Sequence, residues 1–149
     1  IHAASDGSSA RSPASAAWIS VSCGDDARLR GGAPIEEAVA AADAAAGVVA
    51  IGVNCTAPEH VEALLSRART ATAKPLVAYP NSGEGWDPVA RCWLPAALGA
   101  AVDGEAARRW VAAGARLVGG CCRVAPATIA AIAAAVGGSG AAGVGGPLD

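Results

Sequence analysis

The chain has 149 residues, a formal net charge of −2 and 53% hydrophobic residues, with alanine common, a single tyrosine and no phenylalanine. A chain of this length is typical of one domain. It contains no run of lysine and arginine, which argues against nucleic acid and anionic membranes as partners.

The two ends of the chain differ in composition from its centre. Residues 1–16 are rich in serine and alanine without periodicity, and we expect a disordered leader or stub there. Residues 137–149 are rich in glycine, which predicts a flexible tail. Because the sequence starts with Ile1 and contains no methionine, we expect a fragment of a longer protein.

The cysteine content and the lack of export signals indicate a reducing compartment. No basic segment followed by an apolar run opens the sequence, so no signal peptide is predicted. The longest uncharged stretch, 124–148, is dominated by alanine and glycine, which argues against a membrane span. Five cysteines, an odd number, do not suit a disulfide framework. We therefore expect a cytoplasmic protein that uses thiols for metal binding or catalysis.

The centre of the chain alternates between apolar runs and amphipathic segments. The apolar runs predict buried strands at 17–23, 48–53, 75–79 and 116–120. Helices are predicted from Pro34, from Pro58, over 103–113 and over 126–136, with a long loop at 80–95. In the second helix Val61, Leu64, Leu65 and Ala68 have the spacing of one buried face. This alternation predicts βαβ units and a parallel sheet, as found in doubly wound sheets and in (β/α)8 barrels.

Three of the cysteines fall at the carboxyl ends of predicted strands. Cys55 follows the second strand, whereas Cys121 and Cys122 follow the fourth. The carboxyl ends of parallel strands are where α/β folds place their active sites. Gly119 and Gly120 precede the adjacent pair, and we expect them to provide the backbone freedom that turns both sulfurs toward one ion.

Chemistry alone leaves two interpretations of these cysteines open. Three thiolates suit zinc, which takes four tetrahedral ligands and keeps one position for the substrate in catalytic sites. The alternative is that each cysteine is a small buried apolar side chain. For Cys23 and Cys92, which have no partner motif, we predict this second role.

Three segments of the sequence resemble the homocysteine S-methyltransferase family. They are GVNCTAPEHV at 52–61, YPNSGE followed by WDP within 79–88, and ARLVGGCCRVAPATI at 115–129. The resemblance covers residues 17–136. It implies an α/β fold of the (β/α)8, or TIM barrel, type, of which this chain supplies the C-terminal four βα units as a half barrel.

The resemblance also implies a function and a set of metal ligands. The family transfers a methyl group to homocysteine, and the YPNSGE segment is most similar to the branch that uses the sulfonium donors S-methylmethionine or S-adenosylmethionine. By position, Cys55, Cys121 and Cys122 would be the ligands of a zinc ion (Zn²⁺) that holds the homocysteine thiolate. The product would be methionine.

Polar and aromatic residues near the same strand ends are candidates for substrate binding. Asn54 and Asn81 could hydrogen-bond to substrate, although asparagine also forms turns. Glu84 could meet a cationic donor or be a solvated loop carboxylate. Trp86 and Trp93 could flank the donor through cation–π contacts or simply pack the loop. The sequence leaves both roles open for each residue.

A complete family member has four further βα units before those found here. Without them the strands at 17–23 and 116–120 would have unpaired edges, so we expect the missing N-terminal half or self-association to complete the barrel. Two alternatives to an enzyme are a zinc-binding remnant without turnover and a structural zinc module with four protein ligands.

Overall fold

The computed structural model describes residues 16–87, 89–96 and 101–137 of the chain. The predicted disordered leader at 1–16 and the predicted flexible tail at 137–149 lie outside these ranges, apart from one residue of each. Within the same ranges, no helix is long and apolar enough to cross a membrane.

Strands and helices alternate along the described chain, as the apolar pattern predicts. In chain order they are β1 (Ala17–Val21), α1 (Ile35–Asp43), β2 (Val48–Asn54), α2 (Pro58–Ala71), β3 (Leu76–Tyr79), β4 (Glu84–Asp87), β5 (Cys92–Ala96), α3 (Gly104–Ala112), β6 (Ala115–Val118) and α4 (Pro126–Val136). Every predicted strand and helix is present, and each begins within about one residue of its predicted start.

The helix starts follow from local chemistry. Pro58 and Pro126 occupy the first positions of α2 and α4, where a missing N–H costs no hydrogen bond. Asp103 caps α3, because its carboxylate accepts a hydrogen bond of 2.8 Å from the backbone N–H of Ala106. These signals fix where each helix leaves the strand end that precedes it.

Four strands form one parallel sheet in the order β1-β2-β3-β6. In its register Trp18 lies beside Ala50, Gly52 beside Val77, and Val77 beside Leu117. Parallel pairing brings the carboxyl ends of all four strands to one edge of the sheet. The predicted parallel α/β sheet is thereby confirmed.

The core lies between the sheet and the helices. The predicted apolar face of α2 is confirmed, because Val61, Leu64, Leu65 and Ala68 are all fully buried. Trp110 of α3 is the largest of the fully buried side chains. Each large apolar side chain removed from water contributes about 2 kcal/mol, so this layer holds the sheet in place.

The segment predicted as a long loop contains two antiparallel strands. β4 pairs with β5, which sets Trp86 opposite Trp93 with ring centroids 5.2 Å apart and the rings inclined by 65°. Such cross-strand aromatic pairs stabilise a hairpin. The loop prediction was wrong there, because glycine and proline residues along the segment hide the pairing. We call β4, β5 and their connection the hairpin.

The two outer strands of the parallel sheet expose large apolar side chains. β1 and β6 each have one strand partner among the described residues. Trp18 on β1 is 57% exposed and Leu117 on β6 is 44% exposed. β1 and β6 were both predicted as buried strands. This is wrong for the first three residues of β1 and for Arg116 and Leu117 of β6, because both strands lie at the edges of the sheet.

Candidate metal centre

The candidate metal ligands lie on two turns that are both attached to the end of β3. Cys55 directly follows β2, and Cys121 and Cys122 follow β6. The backbone N–H of Cys55 donates to the carbonyl oxygen of Tyr79 at 3.2 Å. The N–H of Cys121 donates to the carbonyl oxygen of Pro80 at 2.7 Å. One strand end therefore sets the positions of both turns.

The structure brings the three predicted cysteines together. The Sγ atom of Cys122 lies 3.8 Å from that of Cys55 and 3.9 Å from that of Cys121. Cys55 and Cys121 are joined in a disulfide, with their Cα atoms 5.6 Å apart. All three sulfur atoms lie within 4.8 Å of one another. Cys55 and Cys121 are half-buried, whereas Cys122 is exposed.

Two of the three sulfur separations suit a tetrahedral metal ion. Zn–S bonds of about 2.3 Å at tetrahedral angles place neighbouring sulfurs about 3.8 Å apart. The two separations made by Cys122 agree with this spacing. Ligation needs thiolates, so Cys55 and Cys121 could serve as ligands only after their disulfide is reduced.

The backbone that turns these cysteines differs from the prediction. Left-handed conformations occur at Cys55 (φ 46°) and Arg123 (φ 62°), but not at Gly119 or Gly120, to which we had assigned this freedom. Gly120 has another role, because a Cβ atom there would lie 2.3 Å from Cγ1 of Val124. The absence of a side chain at Gly120 allows the chain to close tightly behind the cysteine pair.

Thr56 is a buried hydrogen-bonding centre beside Cys55. Its Oγ1 accepts from the N–H of Cys23 at 2.9 Å and donates to the carbonyl oxygen of Asn54 at 3.0 Å. Its own carbonyl oxygen accepts from the N–H of Asn81 at 3.1 Å. Sequence analysis missed this residue, although a threonine directly after a strand-end cysteine is a signal for a side-chain turn.

The two remaining cysteines lie apart from the sulfur cluster. Cys23 is 1% exposed, which confirms the prediction that it is buried. Burial, with a smaller contribution from the Asp25 carboxylate, raises the pKa of Cys23 to about 11. Cys92 is exposed on β5, so the prediction of a buried Cys92 was wrong.

An open cavity lies beside the sulfur cluster. It has a volume of about 710 Å³ and is lined by Cys55 and Cys122 on one side. The hairpin forms another wall through Trp86, Trp93 and Leu94. A small molecule in this cavity could therefore contact the sulfur cluster and an aromatic surface together.

The three polar candidates for substrate binding differ in their positions and in their hydrogen-bond partners. Asn54 ends β2 and is half-buried. Asn81 lines the cavity, and its Oδ1 accepts from the N–H of Gly83 at 2.9 Å, which is a turn-forming role. Glu84 also lines the cavity, but its carboxylate forms an ion pair with Arg123.

The ion pair between Arg123 and Glu84 was not predicted from the sequence. Nε of Arg123 donates to Glu84 Oε2, and Nη2 donates to Oε1 at 2.9 Å. Ser82 Oγ lies 2.7 Å from the same carboxylate and donates to it. The guanidinium and this hydroxyl hold the pKa of Glu84 below its usual range. The guanidinium carbon also lies 5.5 Å from the ring centroid of Trp93, a cation–π contact.

Comparison with known proteins decides the family. The family model for homocysteine S-methyltransferase matches residues 1–136. The chain belongs to the homocysteine S-methyltransferase family. The resemblance carried by the cysteine segments is thus confirmed.

Several curated homocysteine S-methyltransferases are similar to this chain. YbgG from Bacillus subtilis (strain 168) is 41% identical over 122 residues, which are 82% of this chain and 38% of YbgG. The homocysteine S-methyltransferase of Escherichia coli (strain K12) is 43% identical over 122 residues, 82% of this chain and 39% of the relative. The chain thus spans less than half the length of these relatives.

Solved structures of the family share the fold. The metallated form of the homocysteine methyltransferase MmuM from Escherichia coli matches with a TM-score of 0.63 at 39% identity, over 80% of this chain and 35% of that chain. The oxidized form of MmuM matches with the same TM-score and identity, over 80% of this chain and 36% of that chain. These homocysteine S-methyltransferases place the parallel sheet in the TIM barrel family.

Proposed function

We propose that this chain supplies the metal-binding part of an enzyme that transfers a methyl group from a sulfonium donor to homocysteine, giving methionine. The donor would be S-methylmethionine or S-adenosylmethionine. The observation that carries the proposal is the convergence of three cysteine sulfurs, from the ends of β2 and β6, beside an open cavity. Membership of the family supports homocysteine as the acceptor.

We assign zinc to the three sulfurs. Cys55, Cys121 and Cys122 would hold it as thiolates, and their group contains no fourth metal-ligating side chain within the described ranges. A zinc ion held this way would offer its fourth position to a substrate thiol and would keep that thiol deprotonated. Since a free thiol has a pKa of about 8.5, this supplies the nucleophile at neutral pH without a protein base.

The reaction needs little from the chain beyond positioning. The acceptor sulfur, having lost its proton, shares an electron pair with the methyl carbon. The bond from that carbon to the sulfonium breaks, and its electrons stay on the donor sulfur, which leaves as a neutral thioether. Holding the two sulfurs and the carbon in line is then the main catalytic task.

We assign contacts with the small-molecule substrates to Asn54, Asn81 and Glu84. Asn81 and Glu84 line the cavity beside the sulfurs, which supports the assignment for these two. Oδ1 of Asn81 accepts from the N–H of Gly83, and Nδ2 donates to the carbonyl oxygen of Cys55 at 3.5 Å, so we assign the second hydrogen of Nδ2 to a substrate carboxylate. For Asn54, its position at the end of β2 supports the assignment.

We infer that the parallel sheet is half of a (β/α)8 barrel that is completed by a missing N-terminal half or by self-association. Two facts support this: β1 and β6 each have one strand partner in the described part of the chain, and Trp18 and Leu117 expose apolar surface there. We also propose a cytoplasmic location, because the proposed zinc site needs Cys55, Cys121 and Cys122 as thiolates, which persist best in a reducing compartment.

Zinc content of the reduced full chain tests the metal assignment. We expect about one zinc ion per chain, lost in Cys121→Ser, because two thiolates no longer make a stable site. The matched control is Cys92→Ser, which removes an exposed thiol outside the cluster and should leave the zinc content unchanged. A wild-type chain that binds no zinc after reduction contradicts the proposal.

Homocysteine titration of the cobalt-substituted chain tests the open coordination position. We expect the visible cobalt spectrum to change on adding homocysteine, because a fourth sulfur enters the coordination sphere. An unchanged spectrum would indicate a structural zinc module. A changed spectrum without methionine formation from either donor, in the presence of a family N-terminal half, would indicate a zinc-binding remnant.

A further inference from the structure

One residue attaches the hairpin to the turn that carries the cysteine pair. Arg123 directly follows Cys122, and its guanidinium donates two hydrogen bonds to Glu84, the first residue of β4. The same guanidinium lies 5.5 Å from the ring centroid of Trp93 on β5. Arg123 therefore contacts both strands of the hairpin at once.

The backbone around Arg123 explains why its side chain matters for the sulfurs. Cys122 lies inside a tight turn, which is closed by a 3.2 Å hydrogen bond from the N–H of Val124 to the carbonyl oxygen of Cys121. The carbonyl oxygen of Cys122 accepts from the N–H of Ser82 at 3.1 Å, and Ser82 Oγ donates to Glu84. The main chain at Cys122 and the Arg123 side chain are thus held by one short segment before the hairpin.

We propose that Arg123 is a positioning residue of the metal centre, which clamps the hairpin through Glu84 and Trp93 and so fixes the Cys122 sulfur against the other two. This role rests on the proposed zinc site. It adds a residue to that site, because the three cysteine ligands alone do not involve Arg123. The clamp also holds Trp86 and Trp93 as a wall of the cavity beside the metal.

A direct effect of the Arg123 charge on the thiolates is the competing explanation. The Glu84 carboxylate pairs with the guanidinium through two hydrogen bonds, so most of that charge is balanced locally. The two explanations predict different results when Glu84 is changed. If Arg123 acts as a clamp, loss of either Arg123 or Glu84 weakens zinc binding. If its charge acts directly on the thiolates, loss of Arg123 and loss of Glu84 change the zinc affinity in opposite directions.

The zinc dissociation constant of the reduced full chain, measured by chelator competition, separates these explanations. For Arg123→Gln and for Glu84→Gln we expect increases on the order of tenfold, the usual effect of losing a residue that supports metal ligands. The double variant should have a zinc dissociation constant no higher than that of either single variant, because both changes break the same contact. Opposite shifts in the two single variants would overturn the clamp in favour of the charge effect.

Arg67→Gln is the matched control, since it breaks another exposed arginine–glutamate pair, with Glu36 at 2.9 Å, on α2 and α1. We expect it to change the zinc dissociation constant by less than about twofold, because exposed ion pairs contribute little to stability. An equal loss in Arg67→Gln would show general loosening and overturn the specific role of Arg123.

The cobalt spectrum gives a readout that loss of stability alone would not change. In Arg123→Gln the thiolate-to-cobalt absorption per bound ion should change in wavelength and intensity, because all three thiolates still bind while the Cys122 sulfur is held less firmly against the metal. A wild-type chain that binds neither zinc nor cobalt overturns the proposed function together with this inference. Wild-type binding with unchanged affinity and spectrum in both single variants overturns only the inference.

Discussion

The Sγ atoms of Cys55 and Cys122 lie 3.8 Å apart although the two residues are 67 positions apart in sequence and follow strands that are separated by β3 in the sheet. Their approach follows from parallel pairing, which ends β2, β3 and β6 at the same edge. The carbonyl oxygens of Tyr79 and Pro80 then hold the two turns toward each other. The sheet therefore builds the sulfur cluster.

The disulfide between Cys55 and Cys121 makes metal binding depend on reduction. We expect the oxidised chain to bind little zinc, because only the Cys122 thiol of the cluster remains free. After treatment with a phosphine reductant, the zinc content should rise to about one ion per chain. Elemental analysis of gel-filtered samples before and after reduction checks this. Equal zinc content in both samples would contradict a site built from these sulfurs.

The parts of the fold that sequence analysis predicted are those with a local signal. The buried face of α2 was readable because Val61, Leu64, Leu65 and Ala68 recur at helical spacing. Cys55, Cys121 and Cys122 were readable as a group because each follows a strand, and parallel strands end at one edge.

The features that sequence analysis missed depend on contacts between residues that are distant in the sequence. Glu84 and Arg123 are 39 positions apart, and neither carries a local signal for the other. The pairing of Trp86 with Trp93 lies within a segment whose glycine and proline residues are typical of loops. The exposure of Cys92 follows from that hairpin, so it could not be predicted while the hairpin was unknown.

Replacing Thr56 by valine should destabilise the chain. Valine matches threonine in shape but has no hydroxyl, which leaves the buried N–H of Cys23 without its 2.9 Å acceptor. We expect the free energy of unfolding to fall by about 1–3 kcal/mol. Urea denaturation at constant m-value measures this change. Thr56→Ser keeps the hydroxyl and should cost less, and a Thr56→Val variant as stable as the wild type would contradict the role of this hydrogen bond.

Replacing Gly52 by alanine should be far more disruptive than a typical glycine substitution. A Cβ atom at Gly52 would lie 1.8 Å from the carbonyl oxygen of Val77, so β2 and β3 would have to move apart. We expect a loss of at least about 3 kcal/mol, or no folded chain at all. Gly31→Ala is the control, because a Cβ atom there has nothing within 4 Å. A Gly52→Ala variant that unfolds at the same urea concentration as Gly31→Ala would disprove this role.

The buried thiol of Cys23 should make the stability of the chain fall in alkaline solution. Its pKa is raised to about 11 in the folded chain, whereas an unfolded cysteine has a pKa of about 8.5. Between these two pKa values the Cys23 thiol loses its proton in the unfolded chain but keeps it in the folded chain. The contribution of this thiol to the free energy of unfolding is therefore fully present below the unfolded pKa, and it is lost as pH rises through the folded pKa. Urea unfolding across this window checks the slope.

Cys23→Ala isolates this contribution, because the other groups that titrate in the same window are present in both chains. We expect the difference in unfolding free energy between wild type and variant to shrink with rising pH, since only the wild type carries the buried thiol. Alkylation gives a second measurement: at about pH 9 the exposed Cys92 should react readily, while the buried, protonated Cys23 resists. Equal alkylation of Cys23 and Cys92 in the folded chain would show that Cys23 is not held protonated in the core.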